Sequence, residues 1–591
     1  MNAPRTGETA TPWRPDASMN RQFLLGDDGR PPLRIGIVCH HGTIPRHALQ
    51  IVEDIHACGF ARLHCVIDWQ GSETRAAPSR RRFDTLLYRL YQRLLEPLCE
   101  REAEDPLEPT PLPPPGGDRL FPGPVFRIDR HGGPIFDAMV ERIACMELDL
   151  IINLAAPELD AALGRVARHG VWCYRLDGQP PAAAGDDLVR ETLENRANTA
   201  HIALVRFSAN ADHGDILRQA WFATSPGLSV LETRFAPCFG SSWFVLEKLA
   251  ELRRTGELAI EGRMALHEAR LGAPDNRQMI AFVARRLRGI TRRAPSLLRG
   301  ARVVVDWKIA IRQAPVPLPE ENETLAIADF RWLPNPPGRF RADPFLLRHE
   351  GRTWLFFEEY DRQRGKGHIA CAEVKPDGRL GEVFIALEKP WHLSYPQVFV
   401  HDGELYMVPE SVEHQTVDLY RARRFPHDWV HEKQLLDVAV VDATLQCHDG
   451  RWWMFASPMA VPGHAPITCL WTADRLTGDW RLAPAHTVCS DVHHARSAGA
   501  LFTHGKRRYR VSQDCSARYG AALWFNRIEQ WDEHAYRETP EVRINGGGIA
   551  ALTGIHSYNR AGDIEVIDGR FEVVLGRNGT PLREQFPAAL D

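Results

Sequence analysis

The chain has 591 residues, of which 44% are hydrophobic and 25% are charged, and its formal net charge at pH 7 is −4. This length predicts several domain-sized units, and the near-neutral charge excludes the positive field that nucleic-acid binding requires. No apolar run is long enough to span a bilayer. The 12 cysteines lack the paired spacing of a zinc site or of a disulfide framework, which predicts reduced thiols, a cytoplasmic location and no metal centre.

The first half of the chain has the pattern of an α/β domain. Residues 1–31 lack the apolar segment of a secretory signal and are predicted to form a disordered tail. Over 32–256, strand-like apolar runs such as LRIGIVC and LHCVID alternate with segments of helical periodicity such as HALQIVEDIHACGF. We therefore expect a doubly wound α/β domain, interrupted at 104–124 by a Pro-rich insertion without regular structure.

Residues 257–302 form a basic segment that we predict to be a helical connector. Its second half, ARRLRGITRRAPSLLRGAR, concentrates arginines between Arg285 and Arg302. One interpretation is a solvated helix that covers the seam between two domains. The other is a cationic patch that contacts an anionic membrane or a phosphorylated substrate, which would make the protein membrane-peripheral.

The second half of the chain repeats itself. ADPFLLRHEGRTWLFFEE, YPQVFVHDGELYMVPES, DATLQCHDGRWWMFASP and SAGALFTHGKRRYRVSQD each read as a strand, a tight turn ending in glycine and a second strand. The turn glycines are Gly351, Gly403, Gly450 and Gly505, separated by 52, 47 and 55 residues. Hairpins at this period are typical of β-propellers. We predict a five-bladed propeller over 303–591, with a weaker fifth copy around EVIDGRFEVV and with VVVDWKIAIR as its closing strand.

Equivalent residues of different blades converge in a propeller, because the innermost strands line the central channel. Counting eight residues back from each turn glycine leads to Asp343, Tyr395, Asp442 and Ser497. Two carboxylates at equivalent positions predict the acid and base that glycosyl transfer needs, and Glu410, at the end of the second hairpin, is a third catalytic candidate. The alternative is that these aspartates only accept hydrogen bonds from backbone amides.

Polar side chains near the same ring are predicted to bind substrate. These candidates are Arg341, Tyr395, Gln397, Arg496 and Asp514. Together with the carboxylates they predict a polar, sugar-like ligand.

The pair Asp343-Pro344, followed by an aromatic hairpin, resembles the first-blade signature of five-bladed glycosidases, which include arabinanases, xylosidases and invertases. The resemblance implies that Asp343 is a catalytic base or nucleophile and that Asp442 orients the substrate and tunes the acid. The glutamate that opens the fourth blade in those families is replaced here by Arg496 and Ser497. This departure argues against simple hydrolysis and leaves Glu410 as a candidate substitute.

A second resemblance covers most of the propeller. The segments RFRADPFL, SYPQVF, VDATL, RSAGALF and QDCSARYGAALWFNRI are similar to the N-terminal propeller of glucosamine inositolphosphorylceramide transferases. The transferase activity of that family belongs to a separate domain. The resemblance therefore implies a propeller that handles a saccharide or a glycolipid and leaves its own chemistry open.

The segments RIGIVCHHGTIPRHALQIVEDI, HGVWCYRLDG and ALVRFSANADHGDILRQAWF resemble folate-dependent formyltransferases. By position, Cys173 and Arg175 replace the Asn and His of that family, and Asp212 and Asp215 match its later acidic pair. An arginine stays protonated and cannot act as a general base, although it can bind an anion. The resemblance implies a degenerate formyltransferase-like domain, so its reduced folate cofactor, 10-formyltetrahydrofolate, is disfavoured.

Three functions remain open on the sequence. The first is glycan or glycolipid assembly, in which the propeller binds and transfers or trims a saccharide and the α/β half supplies a pocket for a sugar nucleotide or an anion. The second is N-formyl transfer to an amino sugar, with the propeller as a targeting module. The third is a non-catalytic glycan-binding scaffold.

Overall fold

The three-dimensional description comes from a computed structural model of the chain. It describes residues 16–26, 28–71, 83–94, 105–112, 123–129, 132–181, 184, 189–190, 193, 198–208, 213–224, 230–265, 272–284, 302–313, 327–546, 549 and 552–575. In that part of the chain, no helix is long and apolar enough to cross a membrane.

A ten-stranded sheet organises the first half. Its strands are β1 (Leu33–His40), β2 (Thr43–Pro45), β3 (Ala61–Trp69), β4 (Pro109–Pro111), β5 (Val125–Ile128), β6 (Leu150–Asn153), β7 (Val171–Leu176), β8 (Thr199–Phe207), β9 (His213–Ala223) and β10 (Gly262–Ala265). Strands β5, β3, β1, β6 and β7 are parallel and neighbours in that order, and β8, β9 and β10 follow β7 as antiparallel strands. Five of the ten strands therefore run parallel.

Helices cover this sheet. They are α1 (Ala48–Ala57), α2 (Leu86–Leu94), α3 (Pro134–Ala144), α4 (Asp160–Leu163), α5 (Val230–Gly240) and α6 (Phe244–Thr255), and residues 276–284 are also helical. Strands β6 and β7 are buried along their whole length. Such continuous burial is typical of parallel strands that are covered on both faces, and it explains why their sequences are apolar without alternation.

Five further sheets form the second half, which is a five-bladed propeller as predicted. The first blade contains β13 (Arg339–His349), β14 (Arg352–Asp361), β15 (Lys366–Val374) and β16 (Phe384–Leu387), and the second contains β17 (Ser394–His401), β18 (Glu404–Glu410), β19 (Val417–Arg424) and β20 (Asp428–Leu436). The third blade contains β21 (Val440–His448), β22 (Arg451–Pro458), β23 (Thr468–Ala473) and β24 (Arg481–Cys489). The fourth contains β25 (Phe502–His504), β26 (Arg507–Asp514), β27 (Ala522–Trp531) and β28 (Tyr536–Asn545). Within each of these blades, strands that are neighbours in sequence pair antiparallel.

The fifth blade joins the two ends of the propeller. It contains β29 (Leu552–Gly554), β30 (Tyr558–Ala561) and β31 (Ile564–Leu575) together with β11 (Arg302–Gln313) and β12 (Arg331–Trp332). β11 pairs with β31 along its full length, which is the closing strand that the sequence predicted.

The hairpin turn of this blade lies earlier than the EVIDGRFEVV motif indicated. The left-handed Gly562 makes the turn between β30 and β31, whereas Gly569 lies within β31. A Cβ atom on Gly569 would lie 2.4 Å from the ring of Trp332, so this glycine makes room for a tryptophan instead of making a turn.

Part of the predicted disordered tail is ordered. Ser18–Phe23 forms a 3-10 helix, and the ring of Phe23, which is 2% exposed, stacks on Trp243 with a centroid separation of 5.6 Å. The prediction is therefore wrong for residues 16–26, because a few apolar side chains anchor this segment, whereas 1–15 lie outside the described residues.

Two other segments also differ from their predictions. Within the Pro-rich insertion 104–124, β4 pairs with β2 at the edge of the sheet, where a proline costs no ladder hydrogen bond. Within 257–302, which was predicted to be a helical connector, β10 pairs with β9 because its backbone completes the sheet edge. Residues 276–284 are helical, and the arginine-rich 285–301 lie outside the described residues.

The two halves of the chain share one apolar core that contains residues of both. The backbone of Trp221 on β9 exchanges hydrogen bonds with the propeller: its N–H donates to Ser490 O at 2.9 Å, and its carbonyl accepts from Val492 N at 3.2 Å. His486 of the propeller lies 2.8 Å from the carboxylate of Glu247 on α6. The contact between the halves is thus both apolar and hydrogen-bonded.

Candidate functional site

The innermost strands of the first three blades share an unusual backbone feature. Asp343, Tyr395 and Asp442 have φ values of 50°, 44° and 53°, in the left-handed region, and each sits at a β-bulge in the pairing of the first two strands of its blade. Non-glycine residues rarely adopt this conformation, although aspartate does so more readily than most. Three equivalent positions therefore carry the same local distortion, and bulges of this kind re-aim side chains.

Asp343 is the first point at which different blades meet. Its backbone N–H donates to Asp568 Oδ2 of the fifth blade at 2.9 Å, and its carboxylate accepts from the N–H of Tyr395 in the second blade at 3.3 Å. The same carboxylate lies 3.4 Å from Nε2 of His556. Asp343 thus bridges the first, second and fifth blades while it is only 5% exposed.

His556 and Asp568 form the fifth blade's part of the site. Nδ1 of His556 lies 2.6 Å from Asp568 Oδ2, and the imidazole stacks on Trp307 with a centroid separation of 3.9 Å. Burial alone would lower the pKa of His556, but the attraction of Asp568 and Asp343 outweighs it and raises that pKa. The pKa of Asp568 is lowered because the attraction of His556 outweighs the effect of its burial. The imidazole therefore lies between two carboxyl groups that both favour its protonated form.

Asp442 and Arg496 form the opposite part of the site. Nε and Nη2 of Arg496 both donate to the Asp442 carboxylate, Nη2 at 3.3 Å to Oδ1. Gln513 Nε2 donates to Asp442 Oδ2 at 3.0 Å. Glu410 accepts from the N–H of Asp442 at 3.1 Å and lies 3.6 Å from Nη2 of Arg496. We call the set Asp343, Glu358, Glu410, Asp442, Arg496, His556 and Asp568 the channel cluster.

The carboxyl groups of the channel cluster differ in their affinity for protons. Burial, followed by repulsion from Asp442, raises the pKa of Glu410 well above its usual range. Burial and repulsion from Asp343 do the same to the pKa of Glu358. Burial, opposed by His556 but reinforced by Asp568, raises the pKa of Asp343 to about 7. The two glutamates thus hold protons more readily than an exposed glutamate does, and they lie beside the Asp442–Arg496 ion pair.

Tyr519 covers the two parts of the channel cluster. Tyr519 is 44% exposed. Its ring centroid lies 4.9 Å from the guanidinium carbon of Arg496, and its ring meets the imidazole of His556 edge-on with a centroid separation of 5.3 Å. It is thus an exposed aromatic surface beside the buried charges.

Two of the predicted substrate-binding residues are committed to packing between blades. The hydroxyl of Tyr395 lies 2.9 Å from Thr444 Oγ1 and accepts from the N–H of Gly499 at 2.6 Å, and the residue is fully buried. The side-chain amide of Gln397 is bonded to both the N–H and the carbonyl of Leu445. Both side chains are therefore buried and hydrogen-bonded to neighbouring blades.

Two others lie outside the channel cluster. Nε of Arg341 donates to Glu359 Oε2 at 2.9 Å. Asp514 accepts from Ser516 Oγ at 2.6 Å and from Nη2 of Arg543 at 2.7 Å. Of the predicted set, the structure therefore brings together Asp343, Asp442, Glu410 and Arg496.

The predicted formyltransferase-like pocket contains a buried ion pair. Nη2 of Arg175 donates to Asp160 Oδ2 at 2.6 Å, and Nδ2 of Asn153 donates to Asp160 Oδ1 at 2.6 Å. Burial raises the pKa of the Cys173 thiol well above its usual range. The guanidinium that was expected to bind an external anion is thus already paired, because Asp160 occupies that place.

The acidic pair predicted for the same pocket is not brought to it. Asp215 on β9 pairs with Arg206 of β8 at 2.7 Å, and the described contacts do not join it to Cys173 or Arg175. Asp212 lies outside the described residues.

One set of donors in the channel cluster has the composition of a cation site, although the sequence predicted none. Ligand atoms of Asp343, His556 and Asp568 all lie within 4.8 Å of one another. Two carboxylates and an imidazole are ligands that divalent cations accept, and a cation bound here would displace the proton that the two carboxyl groups favour on His556.

Several members of the cluster were not among the predicted site residues. Glu358 and Glu410 each lie seven residues after the turn glycine of their hairpin, Gly351 and Gly403, so the offset that found one could have found the other. His556 and Asp568 had no such signal, because the fifth turn was placed at Gly569. Tyr519, which covers the cluster, had none either, because it lies in a loop between β26 and β27.

The propeller is similar in sequence to known proteins. Residues 311–559 match the family model "Glucosamine inositolphosphorylceramide transferase 1, N-terminal". Curated proteins named glucosamine inositolphosphorylceramide transferase 1 from Oryza sativa subsp. japonica and Arabidopsis thaliana are each 35% identical over 229 and 228 residues. These regions cover 38% of this chain but 30% and 29% of the relatives, so the chain spans less than a third of the relatives it matches.

Solved structures of glycoside hydrolases also match, at low similarity. The catalytic domain of a GH62 α-L-arabinofuranosidase from Coprinopsis cinerea is 12% identical, covering 47% of this chain and 95% of that chain, with a TM-score of 0.31. A family 117 glycoside hydrolase from Zobellia galactanivorans is 13% identical, covering 45% and 90%, with a TM-score of 0.29. These values support no argument about chemistry. The propeller of this chain is similar in sequence to the N-terminal domain of glucosamine inositolphosphorylceramide transferases, as its motifs predicted.

Proposed function

We propose that the propeller binds a saccharide at the channel cluster and acts on a glycosidic bond, by transfer or trimming, during the assembly or modification of a glycan or glycolipid. The observation that carries the proposal is the buried carboxyl group of Glu410, which accepts from the N–H of Asp442 at 3.1 Å and lies 3.6 Å from Nη2 of Arg496. Glycosyl transfer needs a carboxylic acid that donates a proton and a carboxylate that acts as base or nucleophile. The name shared by the curated relatives, which refers to a sugar and a glycolipid, supports the substrate class.

Glu410 is the proposed general acid. Burial and repulsion from Asp442 raise the pKa of its carboxyl group, which is the direction that a general acid needs. Nη2 of Arg496 lies 3.6 Å from Glu410 and is placed to stabilise the carboxylate that remains once the proton has moved to the leaving oxygen. Arg496 would thus serve the acid, although it stands where related glycosidase families carry a glutamate.

Asp343 is the proposed base or nucleophile. Burial raises the pKa of Asp343 to about 7, and the imidazole of His556, 3.4 Å away, favours its carboxylate form. Asp442, which Arg496 and Gln513 hold in place, is proposed to orient the substrate. Tyr519, and not Tyr395, offers an exposed ring on which a sugar face can stack.

For the α/β half we propose a formyltransferase-like domain without formyl-transfer activity. The thiol of Cys173 is buried and the guanidinium of Arg175 is neutralised by Asp160, so neither supplies the general base that formyl transfer needs. The same ion pair argues against Arg175 as a ligand for the phosphates of a sugar nucleotide. We therefore assign saccharide handling to the propeller.

A non-catalytic glycan-binding scaffold is the second candidate. It is favoured by the hydrogen bonds in which Asp343, Glu410 and Asp568 accept backbone N–H groups of neighbouring blades. Carboxylates used in this way stabilise the closure of the propeller whether or not they take part in a reaction.

The two candidates differ in turnover. We would assay the full chain against a panel of aryl glycosides and nucleotide sugars, and compare it with Asp343→Asn and with the exposed control Asp563→Asn. The proposal expects a loss of roughly 100-fold or more in Asp343→Asn, sugar affinity within threefold by calorimetry as an order-of-magnitude expectation, and an unchanged control. Equal turnover in Asp343→Asn would refute the catalytic assignment, and saccharide binding without any turnover would establish the scaffold.

A further inference from the structure

Glu358 differs from the other carboxyl groups of the channel cluster. Each of the other four accepts at least one hydrogen bond, and they are Asp343, Glu410, Asp442 and Asp568. Among the described residues, none donates a hydrogen bond to the carboxyl group of Glu358, although the residue is only 6% exposed. A buried carboxyl group without a donor costs free energy, so its presence indicates a partner that the chain itself does not supply.

Glu358 lies beside the groups to which the proposed function assigns the reaction. On β14 it pairs with Ala342, the residue before Asp343. Burial, followed by repulsion from Asp343, Glu410 and Asp568, raises the pKa of its carboxyl group well above the usual range. The carboxyl group thus borders the place where the proposed function puts the saccharide.

A hydrogen-bond donor faces this carboxyl group from the loop between β16 and β17. Nε2 of His392 lies 3.6 Å from Glu358 Oε1, which is too long for a hydrogen bond. Nδ1 of His392 accepts from the N–H of Gly367 at 2.8 Å, so the proton of the neutral ring is on Nε2. Burial favours that neutral ring by lowering the pKa of His392, although Glu413, which accepts from the N–H of His392 at 2.8 Å, opposes the shift.

A glycine keeps space beside these two side chains. A Cβ atom on Gly367 would lie 2.8 Å from Glu358 Oε1 and 2.9 Å from Cε1 of His392. It would also lie 2.7 Å from the carbonyl oxygen of Leu393, which belongs to the backbone. Any larger residue on β15 would therefore displace the donor or the acceptor, and glycine lets both face the same point.

The donor and the acceptor together select the group that fits between them. One hydroxyl oxygen can accept from Nε2 of His392 and donate to Glu358 Oε1, and a separation of 3.6 Å lets it reach both at about 2.8 Å. An ammonium group or a metal ion has no lone pair for the Nε2–H. An anion would meet the surrounding carboxyl groups, which are those of Asp343, Glu410, Glu413 and Asp568.

We propose that Glu358 and His392 form a subsite that holds one hydroxyl group of the saccharide, which accepts from His392 Nε2 and donates to Glu358 Oε1. The subsite rests on the proposed function and adds to it a determinant of which saccharide is bound. A site built around a hydroxyl group discriminates against a sugar that lacks it, because the buried donor and acceptor are then left unpaired. Glu358 thus serves recognition, and the bond-breaking roles stay with the other carboxyl groups.

The test measures the affinity of the full chain for sugars with and without single hydroxyl groups. The probes are methyl glycosides of glucose, galactose, mannose, xylose and arabinose, titrated by NMR, and the monodeoxy analogues of the one that binds best. In the parent chain, removal of one particular hydroxyl group should weaken binding at least about tenfold. Glu358→Met and His392→Asn should bind the complete glycoside at least about tenfold more weakly, and loss of the same hydroxyl group should then change the affinity less than about twofold.

The variants are chosen so that the fold survives. In His392→Asn, the side-chain oxygen can still accept from the N–H of Gly367. Glu358→Met removes a buried group that has no donor, so its melting temperature should equal or exceed that of the parent. The control Glu382→Met changes an exposed glutamate of the same blade and should bind like the parent.

Three results would overturn the subsite alone. They are parent-like saccharide affinity in both variants, a clearly lower melting temperature in Glu358→Met, and tighter binding of an analogue with an amino group in place of the hydroxyl. The last result would mean that the carboxyl group accepts a cation. If no methyl glycoside binds the parent chain, the proposed function falls and the subsite falls with it.

Discussion

Arg496 of the fourth blade donates two hydrogen bonds to the carboxylate of Asp442 in the third blade, from a position 54 residues away in sequence. The side chains of Arg496 and Asp442 are 13% and 3% exposed, so each charged group has lost most of its contact with water and interacts with the other instead. The glutamate expected at the start of the fourth blade would have repelled Asp442. With Arg496 in place of that glutamate, the channel contains a cation paired with Asp442 among its carboxyl groups.

Removing Arg496 should destabilise the propeller strongly. In Arg496→Met the Asp442 carboxylate remains buried without its partner, so we expect a loss of about 3–5 kcal/mol in the free energy of unfolding. Urea denaturation measures it. Arg348→Met, which removes the half-exposed partner of Asp563, is the control and should cost at most about 1 kcal/mol. A similar small loss in both variants would mean that Asp442 is adequately solvated.

Stability should depend on pH through Asp343. Its folded pKa of about 7 lies above the 3.8 of an exposed aspartate, so the folded chain holds a proton that the unfolded chain releases. The stability that Asp343 contributes is therefore fully present below pH 4 and falls as the pH rises towards 7. Above pH 7 the free energy of unfolding levels off, after a total loss on the order of 4 kcal/mol. In Asp343→Asn the free energy of unfolding should fall less between pH 4 and 7. Parallel pH curves for the variant and the parent would contradict the shift.

The ordered segment before the first strand should couple the two halves. Phe23→Ala removes a buried ring that stacks on Trp243, and we expect a loss of about 3–5 kcal/mol and separate calorimetric transitions for the two halves. Leu24→Ala, at a residue that is 43% exposed, is the neighbouring control and should change little. One unaltered cooperative transition in Phe23→Ala would show that the segment is not needed for the contact.

The α/β half should not bind reduced folate. Because Arg175 is paired with Asp160 and Cys173 is buried, we expect no change in the melting temperature of the full chain with 10-formyltetrahydrofolate. A clear dose-dependent rise in that temperature would revive N-formyl transfer as the function.

The repeat spacing predicted much of the propeller because hairpin turns require particular residues. Gly351, Gly403, Gly450 and Gly505 all have positive φ in the structure, so the same demand recurs in four blades. The fifth turn was misplaced because Gly569 leaves space for the ring of Trp332 and does not form a turn. The sequence alone does not distinguish a glycine needed for a turn from one needed for close packing.

The candidate site was only partly predictable for a different reason. The offset from the turn glycine correctly found that Asp343, Tyr395 and Asp442 are equivalent, as their shared left-handed backbone shows. The offset does not predict which side chains face the channel. Tyr395 was therefore expected to contact a sugar, although it is buried between blades. The pairing of His556 with Asp568 depends on the closure of the ring, which no local pattern encodes.

The most direct test of the account is the turnover of Glu410→Gln on glycosides whose leaving groups differ. A general acid is needed for a poor leaving group and is nearly dispensable for an activated one such as dinitrophenolate. The account predicts a loss of roughly 100-fold or more on alkyl glycosides and a far smaller loss on dinitrophenyl glycosides. Equal losses on both kinds of substrate, or no loss on either, would contradict the assignment of Glu410 as the acid of the channel cluster.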